Sequence, residues 1–147
     1  VIRLIRDGIV VLSDIPSSAG EIRSLHTAAF GFRPSLSMTE YRIKEKMKDP
    51  SYQTFGYILN GSLAGFFFMK DEGYNDPKHI ESFCVAPWHK GKGLGSIMLK
   101  FILDKYSLYD FYLTVAPKND PARGLYKKFD FRDTDRITMK RSSLCSS

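Results

Sequence analysis

Apolar and polar positions follow two periods along this chain, and the changes between them mark its elements. Ile9 to Leu12 is a short apolar run that predicts a first strand. Ser18 with Glu21 three residues later forms a capping-box pattern. The recurrence of Ile22, Leu25 and Ala29 then predicts a helix ending near Gly31. Ser37 and Glu40 repeat that signature before YRIKEKMK, a second helix stopped by Pro50. Two apolar runs, YQTFGYIL and SLAGFFFMK, flank Asn60-Gly61, a pair that tolerates positive φ and predicts a hairpin. Phe66-Phe67-Phe68 has no polar alternation, so its strand should be covered on both faces. DEGYNDPK reads as a loop and HIESFCV as a strand ended by Pro87. From Leu94 the recurrence of Ile97, Met98, Phe101 and Ile102 predicts a third helix. Phe111 to Val115 predicts a strand, and Pro121 suits the first turn of a helix carrying Ala122, Leu125 and Tyr126. Phe131 and Ile137 to Met139 predict a closing strand. The order implies an α/β fold, a mixed central sheet of about six to seven strands flanked by about four helices. One domain over 1–141 with a flexible tail over 142–147 is expected.

Composition narrows the classes. A hydrophobic content of 43% is enough for a core and excludes disorder as the dominant state. No apolar run approaches the roughly 18 residues that span a bilayer. The first run, VIRLIRDGIVVL, is broken by Arg3, Arg6 and Asp7, so it predicts strand rather than signal peptide, and a cytoplasmic protein without membrane contact is expected. Cys84 lies in an apolar run and reads as a core thiol, while Cys145 lies in a polar tail, so no disulfide is expected. His26, His79 and His89 are scattered and build no metal cluster. Twenty-two basic against 16 acidic residues give a net charge of +6, which suits an anionic partner or simply solubility. The basic residues are spread along the chain, against a nucleic-acid stripe; the local exception is His89, Lys90 and Lys92 interleaved with glycines.

That cluster sits in Val85-Ala-Pro-Trp-His-Lys-Gly-Lys-Gly-Leu-Gly-Ser96, which joins a strand to an amphipathic helix. N–H groups at a helix start have no intrahelical partner, and with the helix dipole they attract anions. Glycine lets a diphosphate approach the backbone. A Walker A loop is excluded because Ala86 stands where its first glycine belongs, and GxGxxG is excluded by Ser96 and Met98. The turn alone specifies either a phosphorylated ligand or a flexible connection.

Strand, proline, basic residue and GxGxG opening a helix resemble the acetyl-CoA motif of the GNAT superfamily of N-acetyltransferases. The pattern [Q/R]-x-x-G-x-[G/A] corresponds to Lys90-Gly91-Lys92-Gly93-Leu94-Gly95, with Lys90 keeping a positive donor but losing the planar fork. A second block supports it: Asn119, Ala122 and Leu125-Tyr126-Lys127-Lys128-Phe129-Asp130-Phe131, where Asp130 replaces the usual glycine. The resemblance covers Ile80 to Phe131, and the first half in layout only.

The resemblance implies acetyl-CoA as cosubstrate and a primary amine as acceptor; no metal is expected, because the scattered histidines give no ligand cluster. Lys90, Gly91, Lys92, Gly93, Leu94, Gly95 and Ser96 would hold the diphosphate. Phe83, Cys84 and Val85 would offer backbone groups to the pantetheine, with the Val85 N–H polarising the thioester carbonyl, and Asn119 would belong to the cofactor side. Direct attack by the amine, the family's usual route, leaves Cys84 without a nucleophilic role. Tyr126 is the candidate general acid for the leaving sulfur, or else a core tyrosine on a helix face. Glu81 lies two residues before Phe83, so strand alternation puts both on one face. There Glu81 could take the amine's proton, or be a solvated carboxylate. The segment around Glu81 is similar to spermidine/spermine acetyltransferases, which tilts the acceptor toward a polyamine or another small amine. Glu40, Glu45, Asp71, Glu72 and Asp76 could line a pocket for a polycation, or be surface charges. A protein N-terminus or lysine is the rival acceptor, and a non-catalytic acyl-CoA-binding module the rival class. A homodimer is left open.

Overall fold

A computed structural model describes residues 6–15, 18–31, 39–71, 73, 76–135, 139 and 141. The elements run β1 (Gly8–Val11), α1 (Ala19–Phe30), α2 (Glu40–Lys48), β2 (Tyr52–Leu59), β3 (Ser62–Asp71), β4 (Lys78–Val85), α3 (Leu94–Lys105), β5 (Phe111–Leu113) and α4 (Asp120–Lys128), with 3-10 turns at Leu12–Asp14 and Pro87–His89. The sheet order is β1-β2-β3-β4-β5, antiparallel except for the parallel β4–β5 pair. Five strands among the described residues is fewer than the sequence pattern suggested. Phe131 lies in irregular chain, and most of the expected closing strand falls outside the described residues, as does the tail over 142–147.

The β2–β3 turn is built as its residues require, with Asn60 at φ 52° and Gly61 at φ 76°. The sheet is covered on both faces. Phe66 and Phe68 enter one core with Ile22, Leu25, Ile43 and Met47 of α1 and α2; Phe67 enters the other with Met98, Leu99, Ile102 and Tyr126 of α3 and α4. All three phenylalanines are fully buried, each contributing about 1.5–3 kcal/mol.

Helix starts depart from the sequence pattern. Ser18 has helical angles and its Oγ donates to the Ile15 carbonyl at 2.7 Å, so it does not cap α1. Thr39 caps α2, its hydroxyl accepting from the Arg42 N–H at 3.2 Å; Ser37 lies outside the described residues. Asp130 takes the glycine's part at the end of α4, with φ 68°. Phe131 N–H donates to Tyr126 and Asp130 N–H to Lys127, a Schellman ending that an aspartate in the left-handed region can support.

Candidate active site

The β4–β5 ladder is short. It pairs Lys78 with Phe111, His79 with Tyr112 and Ile80 with Leu113, and there it ends. Beyond Ile80, β4 runs on to Val85 with β3 on one side and no paired strand on the other among the described residues. Ala86 N–H donates to the Ala64 carbonyl at 2.8 Å, so the adjoining Gly65–Val85 pair is the kind without mutual hydrogen bonds. The Val85 N–H therefore points away from β3, toward the open edge.

A bulge re-aims the side chains along that edge. The register steps from Phe68–Glu81 to Phe66–Cys84, leaving one extra residue on β4, and Ser82 sits at φ 53°. Strand alternation therefore fails here. Glu81, opposite Phe68, faces the α1/α2 side, whereas Phe83 packs into the α3/α4 core. The expectation that Glu81 and Phe83 share a face is thus corrected: Glu81 and Tyr126 approach β4 from opposite faces of the sheet.

On the α3/α4 side, Tyr126 is 8% exposed and meets Phe83 edge-on, with ring centroids 6.1 Å apart. Ala122 packs into the same core, as their four-residue spacing predicts. Burial pushes the Tyr126 phenol up to about 12. Burial also pushes the Cys84 thiol up to about 12, with the Lys90 charge opposing. Cys84 faces α1, its Sγ 3.9 Å from the Leu25 carbonyl, so it is neither ionised nor aimed at the open edge.

The glycine-rich turn follows directly. The first helical bond of α3 is from Ile97 N–H to the Gly93 carbonyl at 3.1 Å, so the N–H groups of Leu94, Gly95 and Ser96 have no intrahelical partner. Gly93 caps the helix at φ 76°, and a Cβ there would meet no protein atom within 4 Å. At Gly95 the lack of a side chain serves packing. A Cβ there would come within 3.1 Å of Leu125 Cδ2 and 3.8 Å of Val85 Cγ2, so its absence lets α3, α4 and β4 converge. Gly91 to Gly93 and Lys90 are exposed. Lys92 Nζ lies 2.9 Å from His89 Nδ1, and Lys128 Nζ reaches Ser96 Oγ at 3.4 Å, adding a charge that the sequence motif does not include. Asn119 caps α4, its Oδ1 accepting from the Ala122 N–H at 3.3 Å, which occupies the side-chain carbonyl assigned to the cofactor side.

On the α2 side, Lys46 Nζ lies 3.5 Å from Glu81 Oε2 and His79 Nδ1 lies 3.6 Å from Oε1. His79 was findable by alternation from Glu81; Lys46 was not, because its position depends on how α2 docks. Two of the carboxylates that could line a polycation pocket are engaged by lysines instead. Asp71 is bonded to Lys78 at 2.8 Å and Glu40 to Lys44 at 3.4 Å, while Glu72 lies outside the described residues. Glu45 lines a hollow of about 420 Å³ together with Arg42, Lys46, Lys48 and Asp49.

The fourth strand of this mixed sheet thus carries a bulge, has no paired strand beyond Ile80 on one side among the described residues, and leads through a glycine-rich turn into α3. The chain belongs to the acetyltransferase (GNAT) family, whose model matches residues 20–131. It is 31% identical over 134 residues to a mycothiol acetyltransferase of Clavibacter michiganensis subsp. michiganensis, covering 86% of this chain and 43% of that protein. It is 24% identical over 107 residues to a probable spermine N(1)-acetyltransferase of Bacillus subtilis subsp. natto, covering 66% and 70%. The crystal structure of the ribosomal-protein-S18-alanine N-acetyltransferase from Escherichia coli has the same fold, with a TM-score of 0.74 at 21% identity, covering 88% of this chain and 79% of that one. The chain spans about half the length of curated relatives such as the mycothiol acetyltransferase. No helix among the described residues is long and apolar enough to cross a membrane.

Proposed function

We propose that this chain transfers an acetyl group from acetyl-CoA directly to the primary amine of a small molecule. The observation that carries the reading is the juxtaposition on β4: an edge with no paired strand beyond Ile80 among the described residues, the Val85 N–H directed toward it, running straight into a helix start whose first N–H groups have no intrahelical partner. The residues fit a diphosphate-bearing thioester. Acetyl-CoA supplies the activated acyl group. Leu94, Gly95 and Ser96 offer N–H donors, with Lys90, Lys92 and Lys128 adding charge. Val85 N–H is the donor for the thioester oxygen, where charge develops.

Tyr126 and Glu81 serve opposite faces of that edge. A phenol held up to about 12 keeps its proton against a thiolate whose ordinary pKa is about 8.5. Tyr126 therefore donates a hydrogen bond to the departing sulfur rather than surrendering its proton, a narrower role than full general-acid transfer. Glu81 accepts the proton released by the attacking amine on the α2 face. The amine must be neutral to attack, and free primary amines titrate near about 10.

Glu81→Gln should accordingly cut turnover by at least about tenfold at pH 7 and recover toward the parent rate near pH 10, where solution deprotonates the amine unaided. A pH profile of thiol release checks this. Uniform loss at all pH makes Glu81 a positioning group, and no loss removes it from the mechanism. The acceptor is chosen by thiol release with polyamines, amino sugars, amino acids and peptide N-termini. Similarity to the probable spermine acetyltransferase keeps polyamines in that panel. Turnover with peptide N-termini alone would contradict a small acceptor. Coenzyme A binding without turnover on any amine would instead favour an acyl-CoA-binding module.

A further inference from the structure

Lys46 occupies a place built for an ammonium group. Its Nζ lies 3.5 Å from Glu81 Oε2, 4.9 Å from the centroid of Phe68 and 5.2 Å from that of Tyr52. A carboxylate flanked by two aromatic faces is the environment that holds a primary ammonium. The fit is incomplete, however. The 3.5 Å separation exceeds a good N–H···O bond, and Glu81 Oε2 is a buried oxygen with no hydrogen-bond partner among the described residues. Lys46 and Glu81 side chains are 26% and 24% exposed, and Lys46 also borders the hollow lined by Arg42, Glu45, Lys48 and Asp49.

We propose that Glu81, Tyr52 and Phe68 form the ammonium subsite for the acceptor, and that Lys46 is its resident competitor, displaced when the acceptor enters. This rests on the acetyl-transfer reading of the same edge. It gives the site a preference for an acceptor whose ammonium can replace Nζ at Oε2 and complete the missing hydrogen bond. It also gives the free protein a way to keep Glu81 neutralised.

Lys46→Met keeps the stem and removes the charge. With n-propylamine as probe, KM for the amine should fall about tenfold, the equivalent of about 1.4 kcal/mol, with KM for acetyl-CoA unchanged. Lys46→Arg should keep the high amine KM. A merely structural ion pair would instead lower the melting temperature of the Met variant and leave the amine KM in place, which would overturn the proposal. A second readout needs no turnover. The Lys46 ε-methylene, lying over two rings, should resonate upfield in carbon–proton spectra and return to its ordinary position as n-propylammonium chloride is added, but not with sodium chloride at equal ionic strength. A signal unmoved at saturating amine would overturn the displacement. So would acetylation of Lys46 itself on incubation with acetyl-CoA alone, since the lysine would then be substrate and not competitor. Failure of every amine to release thiol, with the methylene still displaced, would sink the acetyl-transfer reading and leave the ammonium site standing.

Discussion

Tyr126→Phe, which removes a hydrogen-bond donor to the departing sulfur, should lower kcat by at least about tenfold while coenzyme A affinity stays close to that of the parent. The ring and its contacts with Phe83 and Phe131, at centroid distances of 6.1 and 5.7 Å, survive the change. Only the hydroxyl is removed. If that hydroxyl serves the departing sulfur, the loss appears in turnover. If Tyr126 is only a core residue, the loss appears in stability, by about 1 kcal/mol, with turnover intact. Melting temperature and kcat on one variant separate the two. The pH dependence adds a second check. Because burial raises the phenol to about 12, its protonated form persists well above the ordinary tyrosine pKa of about 10. The parent rate should therefore show no descending limb near pH 10 attributable to this group.

Gly93→Val should abolish measurable coenzyme A binding, with Kd rising by at least about tenfold. Two effects act together there. The side chain would stand over the N–H groups at the start of α3, and a β-branched residue at φ 76° is strained by about 1–3 kcal/mol. The valine variant should therefore melt a few degrees lower as well as bind poorly. Gly93→Asn separates the causes, because asparagine tolerates the left-handed region and no protein atom lies within 4 Å of the added Cβ. Calorimetric titration should find the asparagine variant as stable as the parent yet still impaired for coenzyme A. Parental affinity in that variant would remove the turn from the diphosphate site.

Local signals carried much of this fold. Asn60-Gly61 forms its hairpin, the three phenylalanines fill two cores, and the stripe from Leu94 becomes α3. These features depend on periodicity and turn chemistry, which neighbouring residues determine. The bulge at Ser82 left no such trace. Serine has no special tolerance of φ 53°, and the step in register arises from how β3 and β4 pair. One extra residue was enough to turn Glu81 away from Phe83. Lys46 is hidden for a related reason: helix periodicity places Ile43 and Met47 inward, but which strand residue their flanking lysine meets is decided by docking across the sheet. Thr39 takes the N-cap of α2, a position that the Ser37–Glu40 spacing did not mark. The glycine turn was legible because its chemistry is local, from the end of β4 through the start of α3.

The most direct test is a stoichiometric one. The purified chain is mixed with acetyl-CoA, with and without a turned-over amine, and free thiol, acetylated amine and intact protein mass are followed together. Direct transfer at the β4 edge predicts one N-acetylated amine for each coenzyme A released, with no acetylated protein on the path. Thiol release without acetylated amine, or an acetyl-protein that forms and then passes its group to the amine, would contradict it.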